Sequence, residues 1–471
     1  MSADGAGFEI PPHRHGNAIT KERHVVENKQ DKTGLSRREF MKAAGITAAG
    51  VMASSFVGNK LMAATGTTMA HPRVIGANDR LNYAHIGIGG MGGGHVGMVK
   101  GLCGEQNLAQ IAVCEVWDKR KQEAKARTGV PDSQVYGDYR KLLENKDIDV
   151  VVIATPDHWH APIAIAAMQA GKHVYCEKPM THTLSEAFAM RKTARETGCI
   201  VQVGSQGCTD TKWHVAGQAV KDGRVGTVLW AQAGYCRNNP KGEWNWPIDA
   251  SANLSNLDWK MWLGSAPKRD WDPDRYFRWR KFWDYGNGII GDLWPHRLHP
   301  LLIAMNNTEF PSRVVCLGKN IMHTDLNAAD PKNNYGEERD VADTTQMIVE
   351  FPSGAMIHLL GSTVHEGKVE DVVRGNKATL FLSGDKARIE PERAWADEIE
   401  AADLPINGVR ESQVEHHKNL ISCIRNGGIP NCNIDLATRV QTIVSMAEMS
   451  YRQNTMSLFD PVKERLIQPR G

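Results

Sequence analysis

Short apolar runs alternate with amphipathic stretches between residues 81 and 204. The apolar runs that predict strands lie at 83–88, 108–118, 150–154, 173–176 and 201–204. Helical patterns occur between them at 95–102 and 161–170. Because strands that alternate with helices form parallel sheets, we predict a doubly wound α/β domain over residues 80–205, with its ligand beyond the carboxyl ends of the strands.

The pattern changes after this region, which predicts a second domain over residues 206–471. Residues 205–285 lack clear periodicity, whereas 345–351, 355–362 and 378–384 alternate like strands. They predict an α+β domain with a large, mostly antiparallel open sheet, one face of which is free for assembly. The stretch 415–454 predicts two amphipathic helices that are split at Gly427-Gly428 and pack back on the first domain.

We predict that the first 70 residues form a leader segment, made of a disordered N-terminus and an export signal. Residues 1–35 are polar and charged, and we predict that they are disordered. The basic segment 36–42, with Arg37-Arg38, precedes an apolar stretch at 43–57 that is too short for a convincing membrane span. This order resembles a twin-arginine export signal and predicts a periplasmic or secreted protein, with the signal either cleaved or retained as an anchor.

Composition narrows the classes of function. The chain has 471 residues, of which 41% are hydrophobic and 23% charged, and these values are ordinary for a soluble globular protein. A net charge of +2 creates no global field for nucleic acid or an anionic membrane. The nine cysteines form no C-x-x-C pair, which disfavours a zinc site or a disulfide framework. The thirteen tryptophans indicate either aromatic surfaces for flat ligands such as sugar rings or simple packing.

A glycine-rich turn joins the first predicted strand to the first predicted helix. Gly87, Gly89 and Gly92 form the pattern G-x-G-x-x-G. Glycines allow a sharp turn and a close approach of backbone N–H groups to a pyrophosphate, which the positive end of the next helix also attracts. This context predicts a dinucleotide-binding domain of the Rossmann type.

An acidic residue at the end of the next strand indicates which dinucleotide is bound. Glu115 stands 26 residues after Gly89, where an acid accepts hydrogen bonds from the ribose hydroxyls of NAD. Asp118 is the competing acid. Lys119 and Arg120 follow closely, so NADP, whose extra phosphate needs a positive charge, stays open.

Two polar loops follow later strands, at 155–160 and 177–179, and should border the cofactor. The whole stretch "TPDHWHAPIAIAAMQAGKHVYCEKP", 155–179, resembles the glucose–fructose oxidoreductase/inositol dehydrogenase family, also called Gfo/Idh/MocA. The resemblance extends from about residue 81 to the C-terminus. It implies a homo-oligomer, because the open sheet mediates dimers or tetramers in relatives.

The resemblance also implies roles for the Glu-Lys-Pro loop. Glu177 and Lys178 would border the nicotinamide, Lys178 would meet the hydroxyl being oxidised, and Pro179 is often cis in relatives. From the residues alone, an ion pair between Lys178 and Glu177 is an equal alternative. Together with the glycine turn and the loops, the predicted cofactor-binding residues are Gly87, Gly89, Gly92, Glu115, Thr155, Pro156, His160, Glu177 and Lys178.

The segment "GIIGDLWPHRLHP", 288–300, carries a second cluster. Asp292 and His296 match the family spacing, which implies that His296 exchanges the proton of the substrate hydroxyl and that Asp292 holds the histidine and the sugar. Pro295 places the helix start near 293 or 294, and Pro300 disfavours helical geometry at His299. His299 therefore either reaches the substrate or packs in the interior.

The predicted catalytic set is thus Lys178, Asp292 and His296, without a metal. Four histidines have no compact metal-binding spacing: His158, His160, His296 and His299. The tentative substrate contacts are Tyr235, Trp283, Tyr285 and His299.

The resemblance predicts hydride transfer at a hydroxyl of a sugar, cyclitol or glycoside. Export implies a tightly bound cofactor, because free NAD is scarce outside the cytoplasm. An alternative is a glycosidase or lyase that works through a transient 3-keto sugar, for which Tyr235, Tyr285 or His299 would serve as the base for the C2 proton. A third is a non-catalytic sugar-binding protein.

Overall fold

The structure is a computed structural model that describes residues 72–73, 75–76, 79–322 and 339–467. Contacts divide the chain into residues 1–66 and residues 67–471, and every described residue lies in the second unit. The predicted leader and export signal, residues 1–70, lie outside the described residues.

Six parallel strands form the first sheet, in the order β3-β2-β1-β4-β5-β6. They are β1 Leu81–Ile86, β2 Leu108–Cys114, β3 Val135–Tyr136, β4 Val150–Ile153, β5 His173–Glu177 and β6 Val201–Gly204. All residues of β4, β5 and β6 are buried, as expected for strands covered on both faces. The predicted doubly wound sheet is confirmed, and its strand order reverses between β1 and β4, where such sheets bind ligands.

Five helices connect these strands. They are α1 Gly90–Leu102, α2 Asp118–Thr128, α3 Tyr139–Leu143, α4 His160–Gln169 and α5 Leu184–Thr197. The first helix starts five residues before its apolar pattern does, because the glycine turn leads directly into it. A capping box between Thr183 and Glu186 starts α5, and Gly198, in the left-handed conformation, ends it.

Ten strands form the second sheet, in which every neighbouring pair is antiparallel except β7 and β10. They are β7 Val228–Cys236, β8 Arg313–Lys319, β9 Thr344–Glu350, β10 Met356–Ser362, β11 Val372–Gly375, β12 Ala378–Phe381, β13 Arg388–Pro391, β14 Ala402–Asp403, β15 Ser457–Asp460 and β16 Arg465–Ile467. Burial alternates along β8 and β9, so one face lies in the core and the other is exposed. The predicted, mostly antiparallel open sheet is confirmed.

Seven further helices belong to the described part of this half. They are α6 Thr211–Lys221, α7 Trp259–Leu263, α8 Pro273–Phe277, α9 Gly288–Asp292, α10 Pro295–Ala304, α11 Gln413–Asn426 and α12 Ile434–Gln453. The last two are the helices predicted on either side of Gly427-Gly428. They contact elements of the first domain: α11 packs against α1 and β6, and α12 packs against α5. Within the described residues, no helix is long and apolar enough to span a bilayer.

Aromatic packing, rather than periodicity, organises the irregular stretch before α9. Trp259, Trp262, Tyr276 and Phe277 form a buried cluster that includes Trp117, just beyond β2. The indole rings of Trp259 and Trp262 stack with centroids 4.7 Å apart. This cluster packs the irregular stretch beside the carboxyl ends of the parallel strands, and the stretch forms one wall of a cavity there.

Candidate functional site

A cavity of about 770 Å³ opens where the parallel strands end. Its lining includes residues at the carboxyl ends of β1, β2, β4 and β5, which face the aromatic stretch and α10. At one end lie Gly87, Gly89 and Glu115, and Lys178, Asp292 and His296 also line it. The predicted catalytic residues and, except for Gly92, the predicted cofactor residues therefore line one cavity.

The glycine turn is sterically restricted to glycine at two of its positions. Gly87 has φ +82°, and a Cβ there would lie 2.8 Å from the Ala154 carbonyl oxygen. A Cβ on Gly92 would lie 1.9 Å from the carbonyl oxygen of Gly87, so no side chain fits where α1 crosses the turn. Gly89 lines the cavity in front of the helix N-terminus. This close backbone approach fits a dinucleotide phosphate.

Glu115 supports the turn as well as facing the cavity. Its carboxylate accepts 2.8 Å hydrogen bonds from the backbone N–H groups of Ile88 and Val116. Asp118 instead starts α2, pairs with Lys121 and does not line the cavity. Of the two predicted acids, Glu115 is therefore the one placed to meet a ribose.

A cation lies beside the glycine turn. The Arg120 guanidinium lies 5.2 Å from the centre of the Trp117 ring, and a Cβ on Gly89 would lie 3.2 Å from it. This places a positive charge, held by an aromatic face, where an anionic nucleotide would enter.

The loop after β4 contributes Thr155, Pro156 and His160 to the lining. The His160 ring nitrogens lie 3.0 Å from the carbonyl oxygen of Thr155 and 2.7 Å from that of Pro179. Burial lowers the pKa of His160 to about 4, so the ring is neutral near pH 7. A neutral ring has one N–H, so His160 donates to one of these two carbonyls, and both of its nitrogens face the backbone.

Lys178 is held by backbone and side chain together. The Lys178–Pro179 peptide bond is cis, as the family resemblance implied. Lys178 Nζ donates 2.7 Å hydrogen bonds to the backbone oxygen and to Oδ1 of Asp292. An ammonium group has three N–H donors, so one stays available to a hydroxyl in the cavity.

Asp292 accepts several hydrogen bonds at the charged end of the cavity, which is the part lined by Lys178, Arg280, Asp292 and His296. Besides Lys178, its carboxylate accepts hydrogen bonds from Arg280 Nε at 2.9 Å and Trp244 Nε1 at 3.1 Å. Burial alone would raise the pKa of Asp292, but the positive charges of Lys178 and Arg280 outweigh burial and hold it well below its ordinary value. Asp292 is therefore a permanent anion that orients donors, and it is not a proton acceptor near neutral pH.

His296 carries the basic nitrogen of this group. Burial, reinforced by the positive charge of Lys178, lowers the pKa of His296 to about 3. Its ring nitrogens make no hydrogen bond within the described chain, and its ring centre lies 5.7 Å from that of Tyr235. A neutral imidazole in the cavity wall has an unprotonated nitrogen at which a hydroxyl proton can be accepted.

Asp292 and His296 converge by a route that helical spacing did not describe. Asp292 ends α9, and α10 begins at Pro295 with Trp294 as its N-cap, within one or two residues of the expected start near 293 or 294. The two side chains thus sit on two short helices and still face one cavity.

Three of the four tentative substrate contacts lie outside the lining, and Tyr235 alone belongs to it. Trp283 donates from Nε1 to the backbone oxygen of Asp340. Tyr285 is fully buried against His158 and Trp262.

His299 is the third of these residues, and the expectation that Pro300 disfavours helical geometry at His299 was wrong. The helix continues through Pro300 to Ala304, and His299 is 1% exposed with Nδ1 2.8 Å from the carbonyl oxygen of Pro295. Of the two readings of His299, the packing one is the observed one.

Several side chains of the lining escaped sequence reasoning. They are Arg237, Glu243, Trp244, Trp246 and Arg280, whereas Asp157 lies in the loop that was predicted to border the cofactor. The only signal was the density of Trp and Arg in a stretch without periodicity. The Arg280 guanidinium lies 4.1 Å from the ring centre of Trp279 and 5.2 Å from that of Trp246.

Two carboxyl groups of the lining differ in charge. The buried Glu243 forms an ion pair with the half-buried Arg237, with the two groups 3.0 Å apart. Burial raises the pKa of the Asp157 carboxyl well above its ordinary value, against the opposing charge of Arg280. Asp157 is thus a buried acid that favours its neutral form.

Three of the four histidines that were considered as metal ligands contact backbone carbonyl oxygens instead. His158 lies 3.0 Å from the backbone oxygen of Trp262, and His160 and His299 face backbone carbonyls. Among residues 79–322 and 339–467, no three His, Cys, Asp or Glu side chains form a metal-binding group.

Comparison with known proteins agrees with this geometry. Residues 81–205 match the family model "Oxidoreductase family, NAD-binding Rossmann fold", and residues 241–471 match "Oxidoreductase family, C-terminal alpha/beta domain", both of the Gfo/Idh/MocA group. A "Glycosyl hydrolase family 109 protein" from Shewanella pealeana is 30% identical over 287 residues, which are 58% of this chain and 56% of that one. The chain thus spans about half the length of the curated relatives it matches.

Solved structures share the fold at lower identity. Levoglucosan dehydrogenase, in complex with NADH and levoglucosan, has a TM-score of 0.61 and 19% identity, over 80% of this chain and 99% of that one. An aldose-aldose oxidoreductase from Caulobacter crescentus, complexed with glycerol, has a TM-score of 0.57 and 20% identity, over 81% of this chain and 100% of that one. Taken with the two domain matches, the chain belongs to the Gfo/Idh/MocA oxidoreductase family and carries its NAD-binding Rossmann domain.

Proposed function

We propose that this protein oxidises a hydroxyl of a sugar, cyclitol or glycoside by hydride transfer with tightly bound NAD. One observation carries the proposal: an ammonium donor, Lys178, and a neutral imidazole, His296, line the same cavity as the glycine turn. A hydroxyl oxidation needs both groups, because the proton must leave the oxygen as the hydride leaves the carbon.

Each side chain has a separate task in this reaction. The remaining N–H of Lys178 hydrogen-bonds the hydroxyl oxygen and lowers the pKa of that alcohol. His296 accepts the hydroxyl proton. Asp292 holds the Lys178 ammonium in place through two contacts. NAD, when bound, supplies the hydride acceptor.

The charged end of the cavity supports a carbohydrate substrate. Trp246 is 47% exposed, so its indole offers an open face to a sugar ring. Arg237 and Glu243 supply polar groups in the same lining for hydroxyls. Flat apolar faces combined with several hydrogen-bonding groups are the chemistry that sugars require.

The names of the curated relatives favour a second candidate function, NAD-dependent glycoside cleavage. Oxidation of a C3 hydroxyl acidifies the neighbouring C–H, so the C1 substituent is eliminated as the C2 proton leaves. Water then adds, and return of the same hydride restores the hydroxyl. Of the three bases considered for the C2 proton, Tyr235 alone lines the cavity, so we assign that task to Tyr235.

We further propose export by the twin-arginine route, on the basis of Arg37-Arg38 and the apolar stretch after them. Cell fractionation of the unchanged protein and of a variant with both arginines replaced by lysine tests it. Export should be lost in the variant. Equal amounts of both proteins in the cytoplasm would contradict the proposal.

One screen tests the enzymatic proposals together. Protein that carries its nucleotide is incubated in heavy water with free sugars and with aryl glycosides, while nicotinamide absorbance and product are followed. A lasting increase in reduced nicotinamide with a free sugar supports net oxidation. Release of the aryl group, with deuterium at C2 of the sugar, supports glycoside cleavage.

The control for this screen is Lys178→Met, which keeps the length of the side chain without its charge. Both signals should disappear in it. Protein that binds sugars but neither binds nor reduces NAD would contradict both proposals and favour the non-catalytic sugar-binding alternative.

A further inference from the structure

A chain of buried hydrogen bonds lies behind the Glu-Lys-Pro loop. Glu177 Oε1 lies 2.8 Å from His95 Nε2, and His95 Nδ1 lies 2.9 Å from His417 Nε2. Both imidazoles are fully buried. His95 is on α1, which starts at the glycine turn, and His417 is on α11, so three separate segments meet in this chain.

With His95 neutral, the chemistry of the groups sets the direction of both hydrogen bonds. An ionised carboxylate only accepts, so His95 Nε2 must donate to Glu177. Nδ1 of a neutral His95 then carries a lone pair and accepts from His417 Nε2. His417 Nδ1 is buried without a partner in the described chain, as suits a nitrogen that carries no proton. Burial holds the pKa of His417 well below its ordinary value, so this ring is neutral.

The position of the Glu177 carboxylate is also fixed by its surroundings. A Cβ on Gly204 would lie 2.6 Å from Oε1, so the carboxylate occupies space that only glycine leaves open. The second oxygen accepts a 3.2 Å hydrogen bond from the backbone N–H of Lys178. Other charged or titratable groups that act on Glu177 are His95, Asp157, His160, Tyr175, Cys176, Lys178, His296 and His416.

We propose that His95 and His417 are positioning residues that hold Glu177 as an anion in the cavity wall, and that this anion makes the site favour oxidised over reduced nicotinamide. The inference rests on the proposed function. The oxidised ring carries a positive charge that the reduced ring lacks. A carboxylate in a poorly solvated wall therefore stabilises the oxidised form selectively.

The donor from His95 is what keeps this carboxylate charged. Burial works against the ionisation of Glu177, while the hydrogen bond from His95, aided by the positive charge of Lys178, holds the pKa of Glu177 below its ordinary value. Without that donor, burial dominates and Glu177 takes up a proton. The preference for the oxidised ring should then fall, although the cavity keeps its shape.

A competition experiment measures this preference directly. Each protein is equilibrated near pH 7 with equal amounts of oxidised and reduced NAD and separated from free nucleotide, and the bound ratio is determined. In His95→Leu the ratio should move about tenfold toward the reduced form. His95→Gln, whose amide can donate to Glu177, should stay within about threefold of the unchanged protein. A merely structural defect weakens both forms alike and leaves the ratio in place.

His416→Leu is the matched control. His416 is the sequence neighbour of His417 and equally buried, but its ring contacts the Val203 carbonyl and Thr209 instead of His95. In His416→Leu, the ratio of bound oxidised to bound reduced NAD should stay within about threefold of that of the unchanged protein. A shift as large as that of His95→Leu would overturn the proposal.

Glu177→Gln keeps the test decisive if His95→Leu does not fold. This variant removes the charge and keeps the shape, and it should shift the ratio by about the same factor. An unshifted ratio in the folded variants overturns the inference while the proposed function stands. Absence of both nucleotides from the unchanged protein overturns the proposed function, and the inference with it.

Discussion

The two ends of the cavity hold their residues in different ways. At the nucleotide end, Gly87, Gly92 and Glu115 act mainly through the backbone: two glycines leave room that a Cβ would fill, and a carboxylate accepts from backbone N–H groups. At the charged end, Lys178 and Asp292 come from segments 114 residues apart and meet through side chains. Steric fit therefore holds the residues at the nucleotide end in place, and pairing of opposite charges holds those at the charged end.

This difference predicts how each end responds to substitution. A change of shape at the nucleotide end should weaken binding of the dinucleotide and leave the acid–base groups alone. Removal of a charge at the other end should reduce the reaction and leave the dinucleotide in place. Each of the following experiments separates the two ends.

The largest effect should come from Lys178→Met. It removes the whole ammonium group, including the one N–H that is not donated to Asp292. We therefore expect kcat/KM to fall about a thousandfold. The amount of bound NAD should stay within about twofold, since Met keeps the volume of the side chain. Steady-state kinetics and the nucleotide content of the purified protein measure both effects.

Lys119→Met is the matched control for that experiment. Lys119 also lines the cavity, at the nucleotide end, but it is half-exposed and paired with Asp249. Its kcat should be close to that of the unchanged protein. An equal loss of kcat in both variants would show that any cation of the lining suffices.

Gly92→Ala should have the next largest effect, on the nucleotide end. A Cβ at 1.9 Å from the Gly87 carbonyl oxygen forces the turn apart, so NAD binding should weaken by about tenfold or more, with a loss of about 1–3 kcal/mol of unfolding free energy. Calorimetric titration and denaturant unfolding measure the two quantities. Gly94→Ala, on the same helix with its nearest neighbour at 3.8 Å, should instead be neutral or stabilise by up to about 1 kcal/mol. Similar losses in both variants would contradict the steric argument.

Arg280→Met should have a smaller effect, at the charged end. Asp292 keeps its contacts with Lys178 and Trp244, so kcat/KM should fall about tenfold and NAD binding should not change. Arg374→Met, which removes a guanidinium 5.8 Å from the Trp230 ring on the second sheet, is the control and should leave kinetics unchanged. Loss of NAD binding in the Arg280 variant would show that the two ends are not separate.

The smallest effect is expected from pH. The lowered pKa of His296, about 3, means that the imidazole stays neutral and basic as pH falls from 7 to 5. The kcat/KM value should therefore change less than about threefold over that range, within which circular dichroism must show an intact fold. An acid limb with a midpoint near 6.5 would show instead that a solvated histidine is the base.

The sequence by itself determined the parallel sheet and the glycine turn, and its resemblance to a known family indicated the Glu-Lys-Pro loop and the pair Asp292 and His296. Apolar runs and steric needs of the backbone are local properties, and a motif records them within a few residues. The end helices split at Gly427-Gly428 were predictable for the same reason.

Only the tertiary structure decided which side chains complete the charged end. Arg280 and Trp244 lie in a stretch without periodicity, where aromatic packing and ion pairs, which no local pattern records, set the direction of each side chain. Tyr285 and His299 carry suitable chemistry but are buried in the interior, and the half-buried Trp283 donates to a backbone oxygen, because the path of the backbone between distant contacts decides what a side chain faces. The same holds for His95 and His417, which come together beside Glu177 only when α1 and α11 pack against each other.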